Sequence, residues 1–129
     1  EKGLVVGTGN KVEDFGVGFY TKYGDGGVDI SPLADCLKTE VWKMAEYLGI
    51  NKDIIDAPPT DGLWEDNRTD QDQLGLSYEQ LERAMKAEES GEIIVDNNLI
   101  SIVEKFRTIR AQNKHKMAMP PVCPMDKFR

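Results

Sequence analysis

The sequence predicts an α/β chain that is mostly helical, and three patterns in its 129 residues carry that expectation. Gly3 to Val6 is a continuous apolar run of the kind that fills a buried parallel strand. It leads straight into Gly7-Thr8-Gly9, a glycine-rich connection just past the strand's end. From Leu37 onward, apolar residues recur at the spacing of helices with one buried face.

Taken in order, a short helical turn is expected within residues 10–19, where Val12, Phe15 and Phe19 share a face. Residues up to 34 are glycine-rich connections. Leu37, Val41, Met44, Ala45 and Leu48 then mark a helix opened by Lys38, and Gly49 closes it as a C-terminal cap. Lys52 to Ile55 adds one more turn, and Pro58-Pro59 stops any helix there. Residues 56–76 read as one long polar loop, and a loop of roughly 20 residues in a compact domain is usually a lid, a binding loop or disordered. Ser77 and Gln80 form a capping box ahead of Tyr78, Leu81, Ala84 and Met85. That helix ends near Ser90-Gly91. Asp96 or Asn97 begins the next, with Leu99, Ile102, Val103, Phe106 and Ile109 on one face. The tail from Lys114 has three prolines and no periodicity. There is no internal repeat and no internal domain boundary.

Composition narrows the function classes. Charged residues make up 30% and hydrophobic ones 40%, the balance of a globular chain rather than a disordered one. A net charge of −7 argues against nucleic acid held on a broad basic face. It leaves room for a phosphorylated small ligand held by a few local lysines. The apolar runs are too short to span a membrane, and no leader is visible. Cys36 and Cys123 lie far apart without paired metal spacing, so a reduced, cytoplasmic setting is expected. Asn67-Arg68-Thr69 fits a glycosylation sequon, a triplet that also occurs by chance. The chain begins at Glu1, almost inside a strand, and is expected to be a piece of a longer protein whose remainder lies upstream.

Several groups could carry chemistry, and each has a plainer reading. Thr8 sits beyond a strand's carboxyl end, where open parallel sheets bind ligands. Glu13 could supply an oxygen to Mg²⁺, which favours one or two carboxylates plus phosphate oxygens. The plainer reading makes Thr8 or Asn10 a helix cap and Glu13 a solvated first-turn acid. Lys22 and Asp29 bracket Gly24-Asp25-Gly26-Gly27, which is also strong chemistry for a simple hairpin turn. Lys38 could reach a phosphate or be a surface lysine. Thr60, made rigid by two prolines, could be a ligand contact or a turn residue. His115, the one histidine, lies between Lys114 and Lys116, where three cations could clamp an anion or form a frayed basic tail. Asp70 to Gly75 imitates the start of an EF-hand, but Leu74 and Leu81 stand where oxygen ligands are required. Neither a dinucleotide fingerprint nor a P-loop occurs.

Taken together, Gly7-Thr8-Gly9-Asn10, Glu13, Gly18 to Gly27 and Asp29-Ile30-Ser31-Pro32-Leu33 resemble the carboxyl-terminal half of ammonia-dependent NAD synthetases, of the N-type ATP pyrophosphatase superfamily. Lys38, Pro58-Pro59-Thr60, Gly62-Leu63-Trp64, Thr69-Asp70, Leu74 to Tyr78 and His115-Lys116 follow in the same order. The resemblance spans nearly the whole chain. It implies the carboxyl-terminal part of a doubly wound (Rossmann-like) parallel sheet fold, residues 1–129 being part of one domain. It implies activation of the carboxylate of deamido-NAD (nicotinic acid adenine dinucleotide) by ATP and Mg²⁺ through an adenylated intermediate, with ammonia then giving NAD. By matching motif positions, Thr8, Lys38 and Thr60 would hold ATP and Glu13 would bind Mg²⁺. Lys22, Asp29, His115 and Lys116 would hold deamido-NAD. A homodimer is expected of the full-length protein, with no nucleic-acid or membrane partner.

The family's pyrophosphate loop, Ser-Gly-Gly-x-Asp-Ser, does not occur in this sequence, and neither do the first strands of the sheet or a further Mg²⁺ ligand. The chain by itself is therefore expected to form no NAD. The alternative is a non-catalytic nucleotide-binding or dimerisation module that lacks the ATP loop.

Overall fold

The core lies where two amphipathic helices pack together and a short wide turn closes over them. A computed structural model describes residues 2–91 and 93–126. Its helices are α1 (Lys38–Tyr47), α2 (Lys52–Ile55), α3 (Asp70–Leu74), α4 (Tyr78–Ser90) and α5 (Asn97–Asn113). A π-helical turn spans Val12–Val17 and a 3-10 turn spans Lys114–Met117. The expected end of the proline-containing tail, residues 127–129, lies outside the described residues.

The two long helices begin as the sequence dictates. Gln80 donates its backbone N–H to the Ser77 hydroxyl at 3.3 Å, and the Gln80 side chain accepts from the Ser77 N–H at 2.8 Å. Asp96 accepts from the Asn98 N–H at 2.9 Å and opens α5. These bonds occupy donors that a helix start otherwise leaves orphaned. Leu81, Ala84 and Met85 of α4 meet Ile102, Val103 and Phe106 of α5, joined by Leu74 and Leu76 ahead of α4.

The expected face at 10–19 is corrected. In a π turn the chain takes an extra residue per turn. Val12 and Val17, five apart, therefore both point into the core, while Phe15 is exposed and Phe19 half-buried. Gly16 permits the close seating: a Cβ there would lie 2.8 Å from the Met85 sulfur. Gly18 ends the turn at φ 66°, the left-handed region, against Asn113.

Helix α5 then reaches back to the carbonyls this turn leaves free. Arg110 donates to the Phe15 and Gly16 carbonyls. Asn113 donates to Val17 O at 2.9 Å, and Lys116 donates to Gly18 O at 3.0 Å. Four consecutive carbonyls are satisfied by three side chains from one helix and the turn after it.

Three other expectations change. The segment 3–6 is extended but not a buried strand, since Leu4, Val5 and Val6 are all more than half exposed. It pairs with residues 29–30 through a single parallel bridge, Val6 with Ile30. A parallel strand is buried only when neighbours flank both edges and helices cover both faces, and the described residues supply one short partner. The long loop 56–76 contains α3, whose Thr69–Asp72 capping box forms in full. Helix α1 spans the expected residues, but Met44 and Leu48 of its apolar stripe are exposed. Its contact with α4 runs instead through Trp42, edge-on to Tyr78 at 6.0 Å, and through Thr39. The buried Glu82 carboxylate accepts from the Thr39 N–H at 3.0 Å and its hydroxyl at 2.8 Å. An acid from α4 thus supplies the cap that Leu37, with no side-chain oxygen, cannot.

Phe106 is 2% exposed at the centre of this packing. Phe106→Ala is expected to lower the unfolding free energy by about 3–5 kcal/mol, read from the urea midpoint. An unchanged midpoint would mean that the α4–α5 contact is not the core.

Candidate functional site

The site forms where the π turn, α1 and α4 converge. Asn10 is buried and caps the turn, its side-chain oxygen accepting from the N–H groups of Val12 at 3.0 Å and Glu13 at 3.2 Å. Of the two caps the sequence left open, Asn10 is the one used. Capping fixes the first turn and aims the Glu13 carboxylate inward, so it is not a solvated acid.

Three donors converge on that carboxylate: the Asn10 backbone N–H reaches Oε2 at a long 3.4 Å, and two side chains share Oε1. Lys38, the first residue of α1, places its ammonium 2.9 Å from Glu13 Oε1. The Tyr78 hydroxyl lies 2.7 Å from the same oxygen. Lys38 also sits 5.0 Å from the centre of the Tyr78 ring, a cation over an aromatic face. The ion pair is largely withdrawn from water, with side-chain exposures of 20% and 16%, so it is screened less than a surface pair.

Asp70, the first residue of α3, completes the group. Its Oδ2 is 2.6 Å from the Tyr78 hydroxyl, while its Oδ1 is buried and has no hydrogen-bond partner. A phenol has one proton, and two carboxyl oxygens stand within reach of it. Burial is the main force raising the Asp70 carboxyl above its ordinary value. Burial beside Glu13 and Asp70 also pushes the Tyr78 phenol up, which keeps it a donor.

A cleft of about 210 Å³ opens beside Glu13, the member of this group that lines it, together with Gly7, Thr8, Gly9, Asp14 and Asp25 among others. Thr8 is exposed at its mouth. Burial, then the neighbouring Glu13 and Asp25 charges, raise the Asp14 carboxyl to about 6. The charged groups of the lining are all carboxylates, so an anionic ligand would enter only with a cation. No group of three or more His, Cys, Asp or Glu residues among those described could cage a metal.

A second, wider cleft of about 560 Å³ lies beside Tyr20, Lys22, Tyr23, His115 and Lys116. Residues 21–27 make no hairpin; they fold into a tight turn in which the Thr21 carbonyl accepts from both Gly24 and Gly26. The Lys22 ammonium donates to the carbonyls of His115 at 2.6 Å and Ala118 at 2.7 Å. Lys116 lies 5.8 Å from the Tyr20 ring centre. The His115 ring is exposed, with Nδ1 3.2 Å from the Gln112 carbonyl.

The structure therefore divides the residues singled out by sequence. Glu13 and Lys38 are in direct contact, and Thr8 lines the same cleft as Glu13. Lys22, His115 and Lys116 share the other. Asp29 joins neither: its carboxylate accepts from the Val5 N–H at 2.7 Å and ties down the extended segment. The Thr60 hydroxyl donates to the Arg68 carbonyl at 3.0 Å and braces the loop ahead of α3. Sequence reasoning missed Asp70, Tyr78 and Asp14. Tyr78 read as a core position after a capping box, and Asp70 as part of a failed calcium loop. Nothing local marks either as a partner of a residue more than 50 positions upstream (|i−j| is 65 for Tyr78 and Glu13).

Comparison with known proteins now adds to this geometry. The family described as NAD synthase matches residues 1–120. An NH(3)-dependent NAD(+) synthetase from Archaeoglobus fulgidus is 44% identical over 119 residues, covering 92% of this chain and 46% of that protein. One from Methanosarcina mazei is 42% identical over 124 residues, covering 92% and 48%. The chain thus spans about half the length of these relatives. Among solved structures, an NMN synthetase from Francisella tularensis superposes with a TM-score of 0.75 at 29% identity, covering 93% of this chain and 46% of that one. An NH3-dependent NAD synthetase from Campylobacter jejuni, in complex with a nitrate ion, has a TM-score of 0.66 at 24% identity, covering 95% and 45%, and speaks to the fold alone.

The raised Asp14 carboxyl makes stability depend on pH. An ordinary aspartate titrates at 3.8, and folding moves Asp14 to about 6. Between those values the folded chain holds a proton that the unfolded chain has released. Stability therefore falls as pH climbs through that window, and the penalty is complete above it. Without added divalent ions, Asp14→Asn is expected to raise Tm at neutral pH, with the gain shrinking as pH falls to about 4. A gain that does not vary with pH would refute this assignment.

Proposed function

This chain belongs to the NAD synthase family, and we propose that it supplies the substrate-holding carboxyl-terminal half of an enzyme that amidates deamido-NAD to NAD. The observation that carries this reading is Glu13, which lines the Thr8 cleft and is paired with Lys38, on a chain that matches the family over residues 1–120. The fold is the helix-rich part of a Rossmann-like α/β architecture, in keeping with its structural neighbours.

In this reading the reaction has two steps. A carboxylate oxygen of deamido-NAD attacks the α-phosphorus of ATP, and the bond to pyrophosphate breaks. Ammonia then adds to the activated carbonyl carbon, loses a proton and expels AMP, leaving the amide. The first step gathers several negative charges, so cations must stand at the departing pyrophosphate. Lys38 is one, reaching over from Glu13. Glu13 fits Mg²⁺ as a hard, half-buried carboxylate oxygen donor. A single carboxylate is what Mg²⁺ uses when substrate phosphates supply the rest of its ligands. Mg²⁺ would neutralise phosphate charge there. Thr8 and Thr60 would contact the nucleotide.

Deamido-NAD belongs in the wider cleft, whose lysines and aromatic rings suit an anion that carries planar bases. Lys22 has spent two of its three N–H bonds on carbonyls, leaving one for a phosphate or carboxylate oxygen. His115 and Lys116 would act beside it, and Asp29 would act through the segment it ties down. A homodimer, a cytoplasmic setting and an upstream pyrophosphate loop complete the proposal. Among the described residues no helix is long and apolar enough to cross a membrane.

The Francisella neighbour suggests a second substrate, the mononucleotide counterpart of deamido-NAD. Both substrates share the pyridine carboxylate and differ in the adenylate half. A direct comparison of kcat/KM for the two, with ATP, Mg²⁺ and ammonia, separates the readings.

Two outcomes are expected. The natural full-length gene product forms NAD from deamido-NAD, whereas the 129-residue chain alone does not. In the full-length protein, Lys22→Ala raises the KM for deamido-NAD more than that for ATP. NAD formation by the chain alone, or an unchanged deamido-NAD KM, would overturn the corresponding assignment.

A further inference from the structure

Glu13 has a short support behind it that neither family membership nor the cleft explains. Tyr78 is 5% exposed and projects from the first turn of α4, with its hydroxyl 2.7 Å from Glu13 Oε1. Its ring is braced edge-on by Trp42 of α1. Behind it Asp70, 6% exposed, offers one oxygen to the hydroxyl at 2.6 Å and keeps the other buried without a partner.

A buried polar atom without a partner is costly. Its retention here has a geometric reason. Asp70 is the first residue of α3, whose own start is capped by Thr69 and Asp72. The Asp70 N–H donates to the Pro59 carbonyl at 2.9 Å. The backbone on both sides of Asp70 is thus pinned, and the side chain has one polar target, the phenol. The chain from Asp70 through Tyr78 to Glu13 joins α3 and α4, which are adjacent in sequence, to the π turn, which is far upstream.

We propose that Tyr78 is a positioning residue for the Glu13 carboxylate, and that Asp70 positions Tyr78. The pair fixes which way Glu13 presents its oxygens to a divalent cation. This rests on the reading of Glu13 as the Mg²⁺ ligand and deepens it. The other partners of Glu13 do this less well: the Asn10 N–H reaches Oε2 only at a long 3.4 Å, and the Lys38 ammonium is a point charge on a flexible stem. A phenol on a short rigid stem, itself held from behind, sets direction. Outer partners that orient a metal-binding carboxylate have this role in other metal sites, and their loss weakens metal affinity by roughly 10–100-fold.

The test uses the natural full-length protein with a non-hydrolysable ATP analogue bound and Mn²⁺ as a probe, followed by electron paramagnetic resonance. Tyr78→Phe keeps the ring against Trp42 and removes only the hydroxyl. It is expected to weaken Mn²⁺ binding by roughly tenfold. The Mg²⁺ concentration for half-maximal activity should rise by a similar factor, with the deamido-NAD KM unchanged. Asp70→Ala should behave like Tyr78→Phe, whereas Asp70→Asn, which can still bond the phenol, should recover most of the affinity. A structural role alone would lower Tm in these variants without moving Mn²⁺ affinity. Should Asp70→Ala fail to fold, Tyr78→Phe and Asp70→Asn still decide the matter.

Glu13→Gln separates this proposal from the reading beneath it. If Glu13→Gln loses Mn²⁺ while Tyr78→Phe binds it like the parent, the positioning role is wrong and the metal assignment of Glu13 stands. If Glu13→Gln itself binds Mn²⁺ like the parent, both fall.

Discussion

Residues 15–18 end a helical turn with carbonyls that no following turn can use. Left in a protein interior, such groups cost more than most side-chain contacts return. Arg110, Asn113 and Lys116 resolve this from the far end of α5. Their bonds fasten the glycine-rich segment to the helical core, and the remaining features of the site inherit their positions from it. Glu13 is aimed inward because the π turn is seated on Met85 and closed against α5. The 21–27 turn is held above the same helix end because Lys22 continues the pattern, donating to carbonyls at 115 and 118.

One consequence is that several residues serve the fold and the site together. Lys116 satisfies the Gly18 carbonyl and lines the wide cleft. Lys22 anchors the tail and keeps one N–H free. Lys38 opens α1 and neutralises Glu13. Such double use suits a site for highly charged substrates. Cations that already hold bonds lose little side-chain freedom when a ligand arrives, which lowers the ordering cost of binding. It also means that replacing a single lysine disturbs local structure as well as charge.

The two clefts have opposite electrostatic character. The cleft at Thr8 is lined by Glu13, Asp14 and Asp25, and burial together with the other two charges raises the Asp14 carboxyl. The cleft at Lys22 is lined by cations and aromatic rings. A metal-bearing nucleotide suits the first and a bare anion with planar bases suits the second. That pairing is what the proposed reaction of ATP with a dinucleotide acid would require of its two sites.

Much of the helical scaffold was legible in the sequence. The starts of α4 and α5 follow from Ser77, Gln80 and Asp96, because a cap is a local arrangement of a side chain and the N–H groups two or three residues on. The helical stripes Leu81–Met85 and Leu99–Ile109 needed only periodicity. The wide turn was not legible, since a π turn and an α turn draw on the same residues. Only the close approach of Gly16 to Met85 selects Val12 and Val17 as the buried pair. The exposure of Leu4, Val5 and Val6 was hidden for a similar reason: burial of a strand depends on its neighbours rather than on its own residues. The sequence alone identified the chemical types at the site, the threonine, the acid and the lysines, and placed them on their elements. Tertiary structure decided which of them meet. It joined Glu13 to Lys38, Tyr78 and Asp70, and it diverted Asp29 to the backbone of Val5, because contacts between distant segments are set by packing that no local pattern records.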